Sequence, residues 1–207
     1  MAHRHRIRPF VAAGGVAVLA AATLAGARPA AAHPHVWIDA RASLVMADGL
    51  LQGIAVEWTL DAFVSALLIE DFDGDGDGAF STHEAAALHD QTFSGLSEYG
   101  YYTHLTVDGI DIGPAEIRDF APAIAGDAVV YRFFAPLPIP ADPTRKRVEV
   151  AFYDETYYVD VALVEPGIAL AGAEGLGCTL EGREDLETPL YYGLAFPYRT
   201  AIVCAAG

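Results

Sequence analysis

The chain has 207 residues, with 12 Lys and Arg against 28 Asp and Glu, for a formal net charge of −16. That balance excludes the basic surface that nucleic acid or an anionic membrane requires, and it favours cations as ligands. The length suits one domain with a real core and is too short for a two-lobed ligand-clamping receptor.

The first segment reads as a secretory leader. Arg4, Arg6 and Arg8 precede an Ala-rich apolar run from Phe10 to Leu24, and Ala30 and Ala32 fit a small-residue cleavage rule. The run is short for a membrane anchor, which needs about 20 apolar residues. Residues 1–32 are therefore expected to be a signal peptide and 33–207 a single β-rich domain, exported to the periplasm. Removing that leader takes four basic residues and no acidic one, leaving eight against 28, or −20.

From His35 the pattern alternates, with Val36, Ile38, Ala40, Ala42 and Leu44 on one face, as in a strand. Asp48-Gly49 supplies a turn, and Ile54, Val56 and Trp58 continue a second strand. The segment Ala62 to Phe72 lacks Pro and Gly, and Asp61 can cap it. It predicts a helix with Phe63, Ala66 and Leu67 on its apolar face. A second helix is expected over "STHEAAALHDQTFSGLSEY", so that a helix–loop–helix occupies about residues 61–99. "HLTVDGIDI" reads as a short hairpin about Asp108-Gly109, and "AVVYRFFAPL" as a strand that prolines stop. "RVEVAFYDETYYVDVALV" reads as a hairpin turning at Asp154-Glu155-Thr156, with an irregular Gly-rich tail after Pro166. The fold class is α+β: mainly antiparallel β, sandwich-like, with an inserted helix–loop–helix of EF-hand type. Cys178 and Cys204, an even count in an exported chain, predict a disulfide.

The loop between the two helices carries chemistry. "DGDGDGAFSTHE", Asp73 to Glu84, matches D-x-[DN]-x-[DN]-G-x5-E at every specified place. Asp73, Asp75 and Asp77 offer short carboxylates that converge in a curved loop, and Gly78 allows the bend. Ala79 offers its carbonyl, Ser81 a direct or water-mediated oxygen, and Glu84 two oxygens from the next helix. Starting at Asp71 instead loses the bidentate Glu, so that register is rejected. Ser81 and Glu84 also form a capping box, which is compatible with the metal reading. "DGIDIGPAEIRD" puts Ile110 and Ile112 at ligand places, so the hand stands without a partner. A lone hand fits the weak extracellular class, ~10⁻⁴–10⁻³ M, and a structural role for Ca²⁺.

After leader removal His33 presents an α-amine and an imidazole, with His35 two residues on. Pro34 has no N–H, so a four-nitrogen amide site cannot complete. The remaining set suits Cu²⁺, Ni²⁺, Co²⁺ or Zn²⁺, with His104 the first candidate for a further ligand and Asp39 and Glu57 the others. His83 and His89 read as surface histidines. No nucleophile elbow, zinc-protease motif or reactive-Cys motif occurs, so no enzyme is expected.

The His-Pro-His start, the Glu57-Trp58 strand, the Asp-rich loop and "YYTHLTVDGIDI" together resemble a bacterial periplasmic family designated domain of unknown function 1007, from His33 to about Val164. The resemblance implies a periplasmic component of a transport system, partnered by an inner-membrane nickel/cobalt-type permease. Three functions follow as expectations. The first is a transition-metal-binding accessory with a structural calcium site. The second is a calcium-stapled interaction module that binds no transition metal. The third is a copper oxidoreductase with an N-terminal histidine brace.

Overall fold

The computed structural model describes residues 34–205, so the expected signal peptide and His33 lie outside the described residues. Two five-stranded sheets share one core. Strands β1 (Val36–Ala47) and β2 (Leu50–Leu60) form the expected hairpin, with Asp48 and Gly49 both at positive φ in the turn. Ile38, Ala40, Ala42 and Leu44 are buried as the alternation predicts, and Trp58 on β2 is fully buried. Helix α1 (Ala62–Phe72) starts on Asp61, whose side chain accepts from the Phe63 and Val64 amides. Helix α2 (Thr82–Leu88) starts on Ser81 with a reciprocal Ser81–Glu84 capping box. Beyond α2 the chain does not stay α-helical: a π-helical turn (His89–Phe93) and a 3₁₀ segment (Ser94–Tyr102) follow.

The remaining strands are β3 (Thr103–Val107), β4 (Ile110–Asp111), β5 (Arg118–Ala125), β6 (Ala128–Ala141) and β7 (Val148–Phe152), then β8 (Val159–Ala171), β9 (Cys178–Glu184) and β10 (Tyr198–Cys204). The first sheet runs β5-β6-β2-β1-β8 and the second β4-β3-β7-β10-β9. All pairings are antiparallel except β1 with β8. Core residues come from both sheets: Leu44 and Trp58 from the first, Leu105, Val148 and Val150 from the second. Phe93 seals one side of this core, 4.2 Å from the Phe120 ring and edge-on to Tyr131.

Four expectations are corrected. The hairpin at Asp154 is a crossover: β7 lies in the second sheet and β8 in the first. Asp154 turns inward, 4% exposed, and accepts from the amides of Thr156, Tyr158 and Val159 and the Thr156 hydroxyl, which fixes the crossing. The prolines do not stop β6. Pro136 lies opposite Gly53, where a Cβ would collide with the Phe134 ring and the Ala135 carbonyl, so Gly53 admits the close approach of β2 to β6. The tail after Pro166 is not irregular but builds the end of β8 and all of β9 and β10, pinned by the Cys178–Cys204 bridge across register partners. Finally, α1 turns its expected face outward: Phe63 is 71% and Leu67 45% exposed, while Ser65 and Leu68 face in. Ser65 wins because its hydroxyl bridges two buried backbone groups: it donates to the Leu60 carbonyl and accepts from the Val129 amide. Among the described residues no helix is long and apolar enough to cross a membrane.

Candidate metal centre

The loop between α1 and α2 is built by local backbone chemistry. Asp73 ends α1, its amide still bonded to the Ile69 carbonyl. Its Oδ2 accepts from the Gly78 amide at 3.1 Å, drawing the loop back over the helix end. Asp75 and Asp77 each accept from the amide two residues on, at 3.2 and 2.9 Å, the usual habit of Asp in a turn. Gly76 and Gly78 take φ of 69° and 81°, which a Cβ would oppose.

Glu84 reaches back from α2 and holds both ends of the loop. Its Oε1 accepts from the Gly74 amide at 2.8 Å and its Oε2 from the Ser81 amide at 2.9 Å. These bonds hold its pKa below the ordinary carboxylate value, the Ser81 amide foremost, then the Ser81 hydroxyl and the Gly74 amide.

The outcome is a group of carboxylates. Oxygens of Asp73, Asp75 and Glu84 lie within 4.8 Å of one another. At that spacing each ionised pair repels by ~1 kcal/mol even at the dielectric constant of water. Asp73 Oδ1 is buried and has no hydrogen-bond partner. Asp73 thus combines a buried, unpartnered oxygen with a carboxylate beside two others, an arrangement short of positive charge, and the oxygen-only donor set fits a hard divalent cation. Asp77 lies outside this group, its Oδ1 held by the Ala79 amide, and the Ser81 hydroxyl is committed to the Glu84 amide as the helix cap. Ala79 lies in the same turn, where its amide is the donor to Asp77.

The histidines are arranged differently. The His35 amide donates to the Tyr158 carbonyl at 2.9 Å, and its ring lies 4.9 Å from the Tyr158 ring. His104, on β3, stacks flat on Tyr153 at 3.6 Å, and its Nε2–H donates to the Tyr153 carbonyl at 3.0 Å. Burial lowers its pKa, against the raising effects of that bond and of Asp111 and Glu155, so the ring is neutral and the lone pair sits on Nδ1. Both histidines thus pack on one short crossover, residues 153–158. Among the described residues they join no group of three metal-competent side chains, and His33 lies outside those residues. Glu57 is committed elsewhere, its carboxylate 2.7 Å from Arg132 and 3.5 Å from Arg41. Asp39 is exposed on β1. His83 is exposed as expected, but His89 is half-buried, packed against Phe93 and Phe120.

Sequence reasoning missed the buried polar anchors Ser65, Asp154 and Asp185. Asp154 sits before Thr156 in a pattern that hydrogen-bonds its own backbone, a signal that was present. Nothing in the sequence marked Ser65.

The chain matches the model of a family described as protein of unknown function (DUF1007) over residues 18–186, and it belongs to that family. It is similar to an uncharacterized 15.5 kDa protein of Spirochaeta aurantia, at 30% identity over 131 residues, 63% of this chain and 93% of that one. It is also similar to an uncharacterized protein of Haemophilus influenzae, at 27% identity over 131 residues, 62% of this chain. The match spans 61% of that second relative's length.

Proposed function

We propose that this DUF1007-family chain is an exported metal-binding accessory protein with one structural calcium site of EF-hand type. The observation that carries the calcium reading is the buried, unpartnered Oδ1 of Asp73, in a carboxylate grouped with those of Asp75 and Glu84. Asp73, Asp75 and Glu84 would hold the ion, with Asp77, the Ala79 carbonyl and Ser81 or water completing a shell of 6–8 oxygens. The ion would tie the end of α1 to the start of α2. The second part of the reading places a Ni²⁺, Co²⁺, Zn²⁺ or Cu²⁺ ion at the mature N-terminus, on His33 and His35, with His104 as a further ligand. Its support is that His35 and His104 pack on the same crossover. Export rests on the leader-like residues 1–32 and agrees with the disulfide. The permease partner rests on the family resemblance alone.

Metal analysis of the protein recovered from the periplasm, with titration calorimetry, tests both parts. Calcium should bind wild type and fail on Glu84→Gln. A transition metal should bind wild type and weaken on His33→Ala and His35→Ala, without loss of calcium. Transition-metal affinity indifferent to both His changes overturns the accessory role. It leaves the second reading, a calcium-stapled docking module, which the solvent-facing Phe63 and Leu67 of α1 favour.

A further inference from the structure

The first sheet ends on β8 and the second on β9. Among the described residues no backbone hydrogen bond joins those two edges, and a cleft of about 770 Å³ opens between them. The two walls differ in kind. β8 contributes the consecutive residues 159–163, so the cleft runs along that strand's open edge. β9 contributes Leu180, Gly182 and Glu184, and β10 contributes Tyr198 and Thr200. These alternate, so the opposite wall is a face of the second sheet.

The charge is one-sided. Asp160, Glu165 and Glu184 line the cleft together with Asp154, whose oxygens are taken by the crossover, and no Lys, Arg or His does. Asp160 is half-buried, with no hydrogen bond or ion pair from the described residues, and burial raises its pKa, as expected of a carboxylate without a counter-charge. Aromatic rings stand beside these carboxylates: Tyr157, Phe196 and Tyr198. The adjoining loop carries strain at two residues: Tyr191 and Tyr192 take positive φ, at 43° and 59°, and Tyr192 is 97% exposed. Strain of that kind collects at binding sites. Gly182 lets the Tyr198 ring lie flat across β9, since a Cβ there would collide with the ring.

We propose that this cleft is a strand-addition site for an extended, basic segment of a partner protein. The segment's backbone pairs with the open edge of β8 along residues 160–164 and stops at Pro166, which has no N–H to offer. Its Lys or Arg side chains meet Asp160, Glu165 and Glu184, with Tyr157 and Tyr198 supplying ring faces for the cations. Its apolar side chains rest on Leu180 and Phe196. The acidic surface of the chain speeds the encounter.

The probe is a fluorescein-labelled, amidated heptapeptide of alternating valine and arginine, followed by anisotropy with the full chain. It should bind saturably, and its valine–glutamate counterpart should not. N-methylation of the backbone amides on the pairing side should weaken binding about tenfold, the scale of a lost hydrogen bond. Asp160→Asn should weaken it about fivefold, the scale of one partly exposed ion pair. Gly182→Val, whose side chain displaces the Tyr198 ring from the cleft wall, should also weaken it. Circular dichroism and melting curves should show both variants folded. Binding that survives N-methylation, displacement by spermine with no sensitivity to N-methylation, or indifference to both variants overturns the proposal. So does the absence of saturable binding in the millimolar range.

Discussion

Ser65→Ala removes one oxygen and leaves two buried backbone groups to find other partners. Ser65 is 0% exposed and so is Val129. The Val129 amide donates to Ser65 Oγ at 2.9 Å, and that hydroxyl donates to the Leu60 carbonyl at 3.0 Å. With alanine the Val129 N–H has no acceptor and no water to replace it, which costs about 1–3 kcal/mol. Alanine is the better helix former by roughly 0.5 kcal/mol, which offsets part of that loss. The net expectation is a destabilisation of about 1–2.5 kcal/mol, or a melting temperature lower by roughly 3–8 °C for a chain of this size. Urea unfolding followed by far-UV circular dichroism reads the change as a shifted midpoint with an unaltered slope. Amide exchange adds a local readout: Val129 should lose protection relative to its neighbour Val130. A midpoint within error of wild type, together with unchanged Val129 exchange, would refute the claim that Ser65 ties α1 to the sheet.

Calcium should raise the melting temperature. At ~2 mM Ca²⁺ and a dissociation constant of ~10⁻⁴ M the gain is about 1.8 kcal/mol, and Glu84→Gln should abolish it. Identical melts with Ca²⁺ and with chelator would count against the site. Because the Glu84 pKa is depressed in the folded loop, its contribution is present above the ordinary carboxylate pKa and is lost as pH falls through the lower folded value. The calcium-dependent gain should therefore persist at neutral pH and fade only in acid, which melts in Ca²⁺ buffers across that range will show. Replacing both Cys178 and Cys204, 26 residues apart, with serine should cost about 3.5 kcal/mol on the chain-entropy model, read by urea titration against the oxidised wild type. Asp185 is 3% exposed and lies 2.7 Å from Arg199 Nε. Asp185→Ala strands that guanidinium and should cost about 3–5 kcal/mol, while the double change Asp185→Ala, Arg199→Met should recover part of the loss.

Much of the local structure was legible because its causes are local. Alternation along Val36 to Leu44 says which side chains face a core, whatever the core turns out to be. Asp48-Gly49 and Asp108-Gly109 carry the positive φ that two tight turns need. Asp61 and Ser81 cap helices through atoms two or three residues away. The carboxylate spacing from Asp73 to Glu84 is likewise a short-range property, and the structure draws Asp73, Asp75 and Glu84 together while Asp77 serves its own turn.

What tertiary structure alone decided was partnership. An alternating strand pairs equally well with a neighbour in sequence or with one more than a hundred residues away, so β8 could pair with β7 or, as it does, run parallel to β1. The inward Asp154 holds the turn between β7 and β8 through bonds to residues two to five positions on, while the pairing of β8 with β1 is a long-range contact. Helix α1 has apolar residues on more than one face, and which face enters was set by Ser65 meeting the Val129 amide on β6, 64 residues away. The cleft beside β8 arises in the same way, because the open edge of that strand comes to lie along a face of the second sheet only when both sheets have closed on their shared core.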